Sequence, residues 1–201
     1  RYAQAKNIVD IPNGRKLQKR PVPLLGGVVI ALAMIFPTLI FDLYATGGSV
    51  HIQIMFICLL LLIGMLDDIY NLSATLRFIV EVVIVGLYIW ITPVMIGSLH
   101  GLWQTEQLPS IIAVVLSVLA GVGIINSINL IDGIDGYSSG FGILSCLVFA
   151  VVFFISGNWF WGGLLIIVAS ATVPFFCYNV FSTRKKMFIG DGGTLMIGAI
   201  L

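Results

Sequence analysis

Six apolar runs, each close to the length that crosses a lipid bilayer, leave this chain few folds to choose from. They read as spans at roughly 22–41, 48–66, 76–92, 108–128, 137–155 and 160–180, with a seventh beginning near Thr194. Crossing the hydrocarbon core takes about 20 residues, with a range of about 17–25. Lipid offers the backbone no hydrogen-bond partner, so each amide must be satisfied within its own segment, and helices follow. Gly26, Gly27, Pro37, Gly86 and Pro174 lie inside these runs, where they are tolerated and permit close helix contact. The expected fold is all-α: a polytopic transmembrane helical bundle of six full spans plus the start of a seventh. Only 9% of the residues are charged and 59% are hydrophobic, whereas soluble domains carry about 25% charged residues. No internal repeat or low-complexity linker divides the chain, so one transmembrane domain over residues 1–201 is expected. It opens on a basic, polar segment without an initiator Met and stops within the apolar run "TLMIGAIL". No signal peptide is visible, and the chain reads as an interior piece of a longer protein, incomplete at both ends.

Alternating spans place residues 1–21, 67–75, 129–136 and 181–193 on one side, and the loops near 42–47, 93–107 and 156–159 on the other. Nine of the ten Lys and Arg residues lie in the first set, Arg77 sits at its edge, and the opposite loops hold none. The positive-inside rule makes the first side cytoplasmic, in a multi-pass protein of the inner or plasma membrane. The net charge of +1 gives no bulk attraction to nucleic acid. Cys58, Cys146 and Cys177 lie in apolar runs at no metal-like spacing and read as buried small hydrophobes. Asp67, Asp68, Asp132, Asp135 and Asp191 all fall on the cytoplasmic side, while Asp42 and Glu106 remain on the far side as solvated loop residues. Glu81 lies one turn inside the third span, where it can snorkel or pair with Arg77 four residues earlier.

Three acidic motifs thereby meet at one membrane surface. In "GMLDDIYNLSATLRF", Asp67 and Asp68 stand at a helix end. Neighbouring helical residues point about 100° apart, so the two carboxylates cannot chelate one ion from a regular helix; one faces a site and the other orients it or shares a proton. In "INSINLIDGIDGYSSG", Asn126, Asn129 and Asp132 recur at a spacing of three and share a helix face. Gly133 and Gly136 then release the backbone into a turn that can approach a ligand. Carboxylate and amide oxygens converging there suit Mg²⁺, which keeps waters and takes one or two carboxylates plus substrate phosphates. In "RKKMFIGDGGT", Asp191 precedes a glycine pair and the start of a span, just after Arg184, Lys185 and Lys186. The combination describes a site for magnesium and a diphosphate at the membrane surface.

Taken together, these residues resemble the polyprenyl-phosphate N-acetylhexosamine-1-phosphate transferases. The loop "KRPVPLLGG", the Asp-rich "LIGMLDDIYNLSATLRF", "NSINLIDGIDGYSSG" and "FIGDGGT" match that family's motifs in order, spacing and sidedness. The resemblance implies transfer of a sugar 1-phosphate from a UDP-N-acetylhexosamine to a polyprenyl phosphate, leaving UMP. It implies Mg²⁺, with Mn²⁺ as a substitute, held by Asp191 with Asn129 or Asp132. By motif position Asp67 is the base that readies the lipid phosphate, with Asp68 beside it. Phe188 matches the position that stacks on uracil, and Asp135 and Gly133 fall near the nucleoside. Asn126 belongs to the polar floor of the substrate site, and Lys19, Arg20 and Arg77 are candidate phosphate clamps. Whether attack is direct or passes through a covalent enzyme intermediate is left open, as is assembly into a homodimer.

Arg77 stands where the family commonly has lysine, and Tyr137 where leucine is common. The family's first span and its C-terminal His-containing loop have no counterpart here, and His51 and His100 fall on the far face. "PVPLLGG" and "NLIDGIDG" look more like the GlcNAc-1-phosphate branch that initiates O-antigen or teichoic acid synthesis. The alternative is the peptidoglycan branch, which takes a UDP-MurNAc-pentapeptide and more often shows a "GTPTMGG"-like loop. The non-enzyme alternative is a transporter, which would want its acids near the bilayer midplane between broken helices.

Overall fold

The apolar runs fold as helices whose ends are set by local chemistry more than by where hydrophobicity fades. A computed structural model describes residues 9–10, 21–45, 50–101, 107–182 and 186–201. Among these residues, a two-residue antiparallel pair, β1 (Val9–Asp10) with β2 (Val22–Pro23), precedes seven helices. These are α1 (Gly26–Ala45), α2 (His51–Tyr70), α3 (Ala74–Ile91), α4 (Ser110–Ile131), α5 (Tyr137–Ile155), α6 (Trp159–Phe181) and α7 (Gly190–Ile200). Helices α1 to α6 are each long and apolar enough to cross a membrane. The protein is a multi-pass membrane protein with an all-α membrane domain.

Several boundaries differ from the sequence reading by up to four residues, and four of them frame the site. Helix α1 starts at Gly26 rather than near residue 22, because Val22 and Pro23 are drawn into the β pair. Helix α2 continues to Tyr70, so Asp67 and Asp68 lie inside its last turn. It stops at Asn71, whose φ of 51° makes a left-handed cap with its N–H on the Asp67 carbonyl. Ser73 then caps α3, its hydroxyl accepting the Leu76 amide at 3.3 Å. Helix α4 extends to Ile131, which keeps Asn129 on a regular helix. Helix α7 begins at Gly190, so Asp191 sits in its first turn and not before a span starting at Thr194.

Helix α7 is the hub, packing against α1, α2, α4 and α5. It is buried from Gly192 to Gly198, and its glycines allow the approach. A Cβ at Gly193 would lie 2.7 Å from Gly27 Cα, and one at Gly192 would lie 2.9 Å from the Leu61 carbonyl oxygen. Backbones this close gain dispersion contacts, which drive helix association where water supplies no hydrophobic force. Around α7, Ile30, Met34, Ile128, Phe175 and Met196 form one buried cluster, and Phe56, Leu60, Val85, Ile125 and Leu195 form another. Large apolar side chains such as Phe36, Trp90, Ile111 and Ile155 point outward, as a lipid-facing surface requires. Cys146 is buried and Cys58 partly so, but Cys177 is exposed on that surface, unlike the buried thiol its apolar run suggested.

The helices alternate as the charge pattern requires. At one end, the Gly26 and Gly27 amides of α1 donate to the Phe188 and Ile189 carbonyls just before α7, at 3.0 and 2.8 Å. The last turn of α2 and the ends of α4 and α6 meet there too. At the other end Phe41 of α1 stacks on Phe160 of α6, with ring centres 5.6 Å apart, and the Ile96 amide donates to Ser117 of α4 at 2.7 Å. Most of the N-terminal basic segment lies outside the described residues, as do Arg184, Lys185 and Glu106.

Candidate active site

Each acidic motif arrives at the shared end on its own helix. Asp68, in the last turn of α2, accepts the Asp191 amide at 3.0 Å and the Gly192 amide at 3.4 Å. Its carboxylate thus caps the open N-terminus of α7, where free N–H groups and the helix dipole favour negative charge. Asp67 points elsewhere: it is buried and accepts Arg77 Nη1 at 2.7 Å. The neighbouring carboxylates diverge as the helical repeat requires.

On α4, Asn129 donates through Nδ2 to Asp191 Oδ1 and to Thr194 Oγ1, both at 2.8 Å. The Thr194 hydroxyl donates to the Asp191 carbonyl at 3.0 Å, so it must accept from Asn129. That fixes the orientation of the Asn129 amide and leaves its Oδ1 unused. Asp132, just past α4, accepts the Ser138 hydroxyl through Oδ1. Burial pushes the Asp132 carboxyl up to about 7; the Ser138 hydroxyl opposes this, and the charges of Asp191 and Asp135 add to it. Asp191 completes the group, with Oδ2 lying 3.7 Å from Arg77 Nη1.

The turn after α4 is held by a residue without a motif. Asn179, buried in the last turn of α6, accepts the Gly136 amide at 2.6 Å and donates to the Met187 carbonyl at 2.9 Å. It ties the "DGIDG" turn to the segment that delivers Asp191. Gly136 adopts φ 73°, a left-handed conformation that costs glycine little. Gly133 is exposed, with no neighbour within 4 Å of the place a Cβ would take. Exposed Asp135 pairs with Lys186, and the Lys186 ammonium lies 5.9 Å from the centre of the half-buried Phe188 ring.

The fold therefore brings Asp67, Asp68, Asn129, Asp132, Asp191 and Arg77 together, with Asp135 and Phe188 at the rim. Asn126 behaves differently from its motif partners. Its amide donates to Glu81 on α3 and to the Val122 carbonyl, so it faces α3 and not the open floor. Lys19 and Arg20 lie outside the described residues. Thr194, Ser138 and Asn179 were not legible as site residues. Thr194 could have been found as the residue one turn after Asp191; Asn179 carries no local signal.

Among the described residues no three His, Cys, Asp or Glu side chains form a closed metal cage. The available donors are Asp191 Oδ2, Asn129 Oδ1 and the Asp132 oxygen not engaged by Ser138. A hard divalent ion could take these oxygens only by completing its shell with water or substrate phosphate. Among the described residues the cations of the site are Arg77 on the floor and Lys186 at the rim, each paired with carboxylate.

The chain is 28% identical over 200 residues to the phospho-N-acetylmuramoyl-pentapeptide-transferase of Staphylococcus carnosus (strain TM300), covering 92% of this chain and 62% of that protein. It is 31% identical over 191 residues to a Bacillus subtilis (strain 168) protein named "Probable undecaprenyl-phosphate N-acetylglucosaminyl 1-phosphate transferase", covering 94% and 52%. It is 29% identical over 209 residues to the undecaprenyl-phosphate alpha-N-acetylglucosaminyl 1-phosphate transferase of Escherichia coli (strain K12), covering 98% and 54%. The chain thus spans only about half to three fifths of the length of these relatives. The family model described as glycosyl transferase family 4 matches residues 50–201, which contain all three acidic motifs. The chain belongs to glycosyl transferase family 4.

Proposed function

We propose that the protein transfers an N-acetylhexosamine 1-phosphate from its UDP derivative to a polyprenyl phosphate on the cytoplasmic face of the membrane, releasing UMP. The sugar favoured by the "PVPLLGG" and "NLIDGIDG" motifs is GlcNAc. One observation carries the reading. Carboxylates from α2, the end of α4 and α7 converge at one end of the bundle, with Asn129 hydrogen-bonded directly to Asp191. Two of the relatives bear names of this activity with undecaprenyl phosphate as acceptor.

In this reaction an oxygen of the lipid phosphate bonds to the phosphorus attached to the sugar, and the bond from that phosphorus to the UMP oxygen breaks. Phosphoryl transfer needs little from a protein beyond positioning and charge neutralisation. Asp67, which pairs with Arg77 on the floor of the site, takes the proton of the lipid phosphate in this reading. Asp68 holds the first turn of α7 in place and thereby sets Asp191. Arg77 offers guanidinium donors to phosphate oxygens. Phe188 supplies an apolar ring face at the rim for the uracil, with Asp135 nearby. Asp191, with Asn129 or Asp132, would hold Mg²⁺ or Mn²⁺, which neutralises the donor diphosphate and the charge on the departing UMP. The apolar flanks of the bundle keep the acceptor's isoprenoid tail in lipid while its phosphate reaches the helix ends.

The test is UMP release by the full-length protein in detergent with UDP-GlcNAc, polyprenyl phosphate and Mg²⁺. Release that requires both the lipid phosphate and the metal supports the reading. Release only with UDP-MurNAc-pentapeptide assigns the peptidoglycan branch, and release with neither sugar overturns the transfer.

A further inference from the structure

Among the described residues Glu81 is the one acid near the site that the reaction above does not use, and it is wholly buried. A carboxylate about two turns inside a membrane helix is expensive to desolvate, so its partners matter. Asn126 of α4 donates to Glu81 Oε2. Arg77, one turn earlier on α3, places Nε 3.6 Å from Glu81 Oε1. This is an ion-pair contact too long for a hydrogen bond, and both atoms are buried without a hydrogen-bond partner. The guanidinium is instead drawn toward the site, its Nη1 lying 2.7 Å from Asp67 and 3.7 Å from Asp191. Glu81 thus faces the Nε side of Arg77, while Asp67 accepts Nη1. Among the described residues no hydrogen bond or ion pair engages Nη2.

We propose that Glu81 is a positioning residue: anchored by Asn126, it holds the Arg77 guanidinium from beneath, between Asp67 and Asp191, with its free edge toward the substrate phosphates. The effect on turnover rests on the transfer reaction proposed above; the placement of Arg77 does not. A planar guanidinium is useful only in the right plane, since its donors are fixed in a fork. An uncharged residue at 81 would leave Arg77 held through Nη1 only, by Asp67 and Asp191, and free to swing. Asn126 belongs to this device, which is why its amide departs from the face that Asn129 and Asp132 share.

The experiment uses the full-length protein with Glu81→Gln, which keeps the size and an acceptor for Asn126 but removes the charge, and Arg77→Gln. The first readout is the rate at which phenylglyoxal modifies Arg77, followed by mass spectrometry, which needs no turnover. Glu81→Gln is expected to speed modification several-fold. The second is UMP release, where kcat should fall about tenfold or more while the KM for the UDP-sugar stays within about threefold. In the Arg77→Gln background, Glu81→Gln should cost less than about twofold further, because two residues acting as one unit are not additive. Should Glu81→Gln not fold, Asn126→Ala unties the same carboxylate and should give the same pattern. Unchanged Arg77 reactivity, or an undiminished Glu81→Gln effect in the Arg77→Gln background, overturns the proposal. If the wild-type protein releases no UMP, the transfer reading falls, and the arginine reactivity still decides where Arg77 is held.

Discussion

Replacing Asp191 with Asn separates the chemistry of the site from its architecture. An asparagine oxygen can still accept the Asn129 amide that reaches Asp191 Oδ1 at 2.8 Å. The capping contact from Asp68 goes to the backbone amide of residue 191 and is untouched. What disappears is the charge, and its attraction to Arg77 Nη1 acts at 3.7 Å on a carboxylate that is 38% exposed. A solvent-screened pair of this kind contributes about 1 kcal/mol or less to folding. The carboxylate is also the centre of the proposed metal-binding face, opposite the diphosphate where charge develops. Removing one such group from the reacting centre costs about 10²–10⁴ in rate, or ~3–5.5 kcal/mol at ~1.4 kcal/mol per decade. The variant should therefore melt close to wild type in a thermal-shift assay in detergent. Its UMP release should fall by orders of magnitude, with a raised Mg²⁺ requirement and partial recovery in Mn²⁺, which also accepts oxygen ligands. A variant that folds and retains more than a tenth of wild-type turnover at ordinary Mg²⁺ would refute the assignment.

Asp67→Asn should lower kcat at least about a hundredfold while UDP-sugar affinity, measured by calorimetry, changes only a few-fold, because a base acts in the transition state; near-normal kcat would leave Asp67 as a partner of Arg77 and nothing more. Metal affinity should depend on pH through Asp132. Its carboxyl, raised to about 7, is largely protonated at pH 6 and largely ionised at pH 8, and a metal takes the ionised form. Mg²⁺ affinity should therefore rise about tenfold from pH 6 to pH 8 with release of a proton, and Asp132→Asn should flatten that slope. Gly193→Ala places a Cβ 2.7 Å from Gly27 Cα, so α7 must move off α1. We expect a stability loss of about 1–3 kcal/mol or more and, because Asp191 shifts with the helix, a fall in turnover; a variant with wild-type melting would show that the contact can relax. Single cysteines at Tyr70 and Lys186 in a Cys-free background should be labelled from the cytoplasmic side, and one at Ser98 from the opposite side. Labelling of 70 and 186 from opposite sides would break the topology.

Much of the architecture could be read directly along the chain because a bilayer simplifies folding. Backbone groups must be satisfied locally, so apolar run length sets the helices, and the one-sided distribution of Lys and Arg sets their alternation. Both are properties of residues near one another in sequence. The same alternation brought Asp67, Asp132 and Asp191 to one surface before any contact was known. Gly27, inside an apolar run, also marked a close helix contact, as its packing against Gly193 shows. Tertiary packing decided the rest, because it depends on which face of each helix meets another. Asp67 and Asp68 are neighbours in sequence, yet one pairs with Arg77 and the other caps α7, according to where α3 and α7 lie around α2. Asn126 and Asn129 share a helical register, but a few tens of degrees of rotation about α4 separate them: one meets a buried carboxylate on α3, the other Asp191 on α7. Asn179 has no motif at all, and only the arrival of α6 beside the "DGIDG" turn gives its amide two backbone partners.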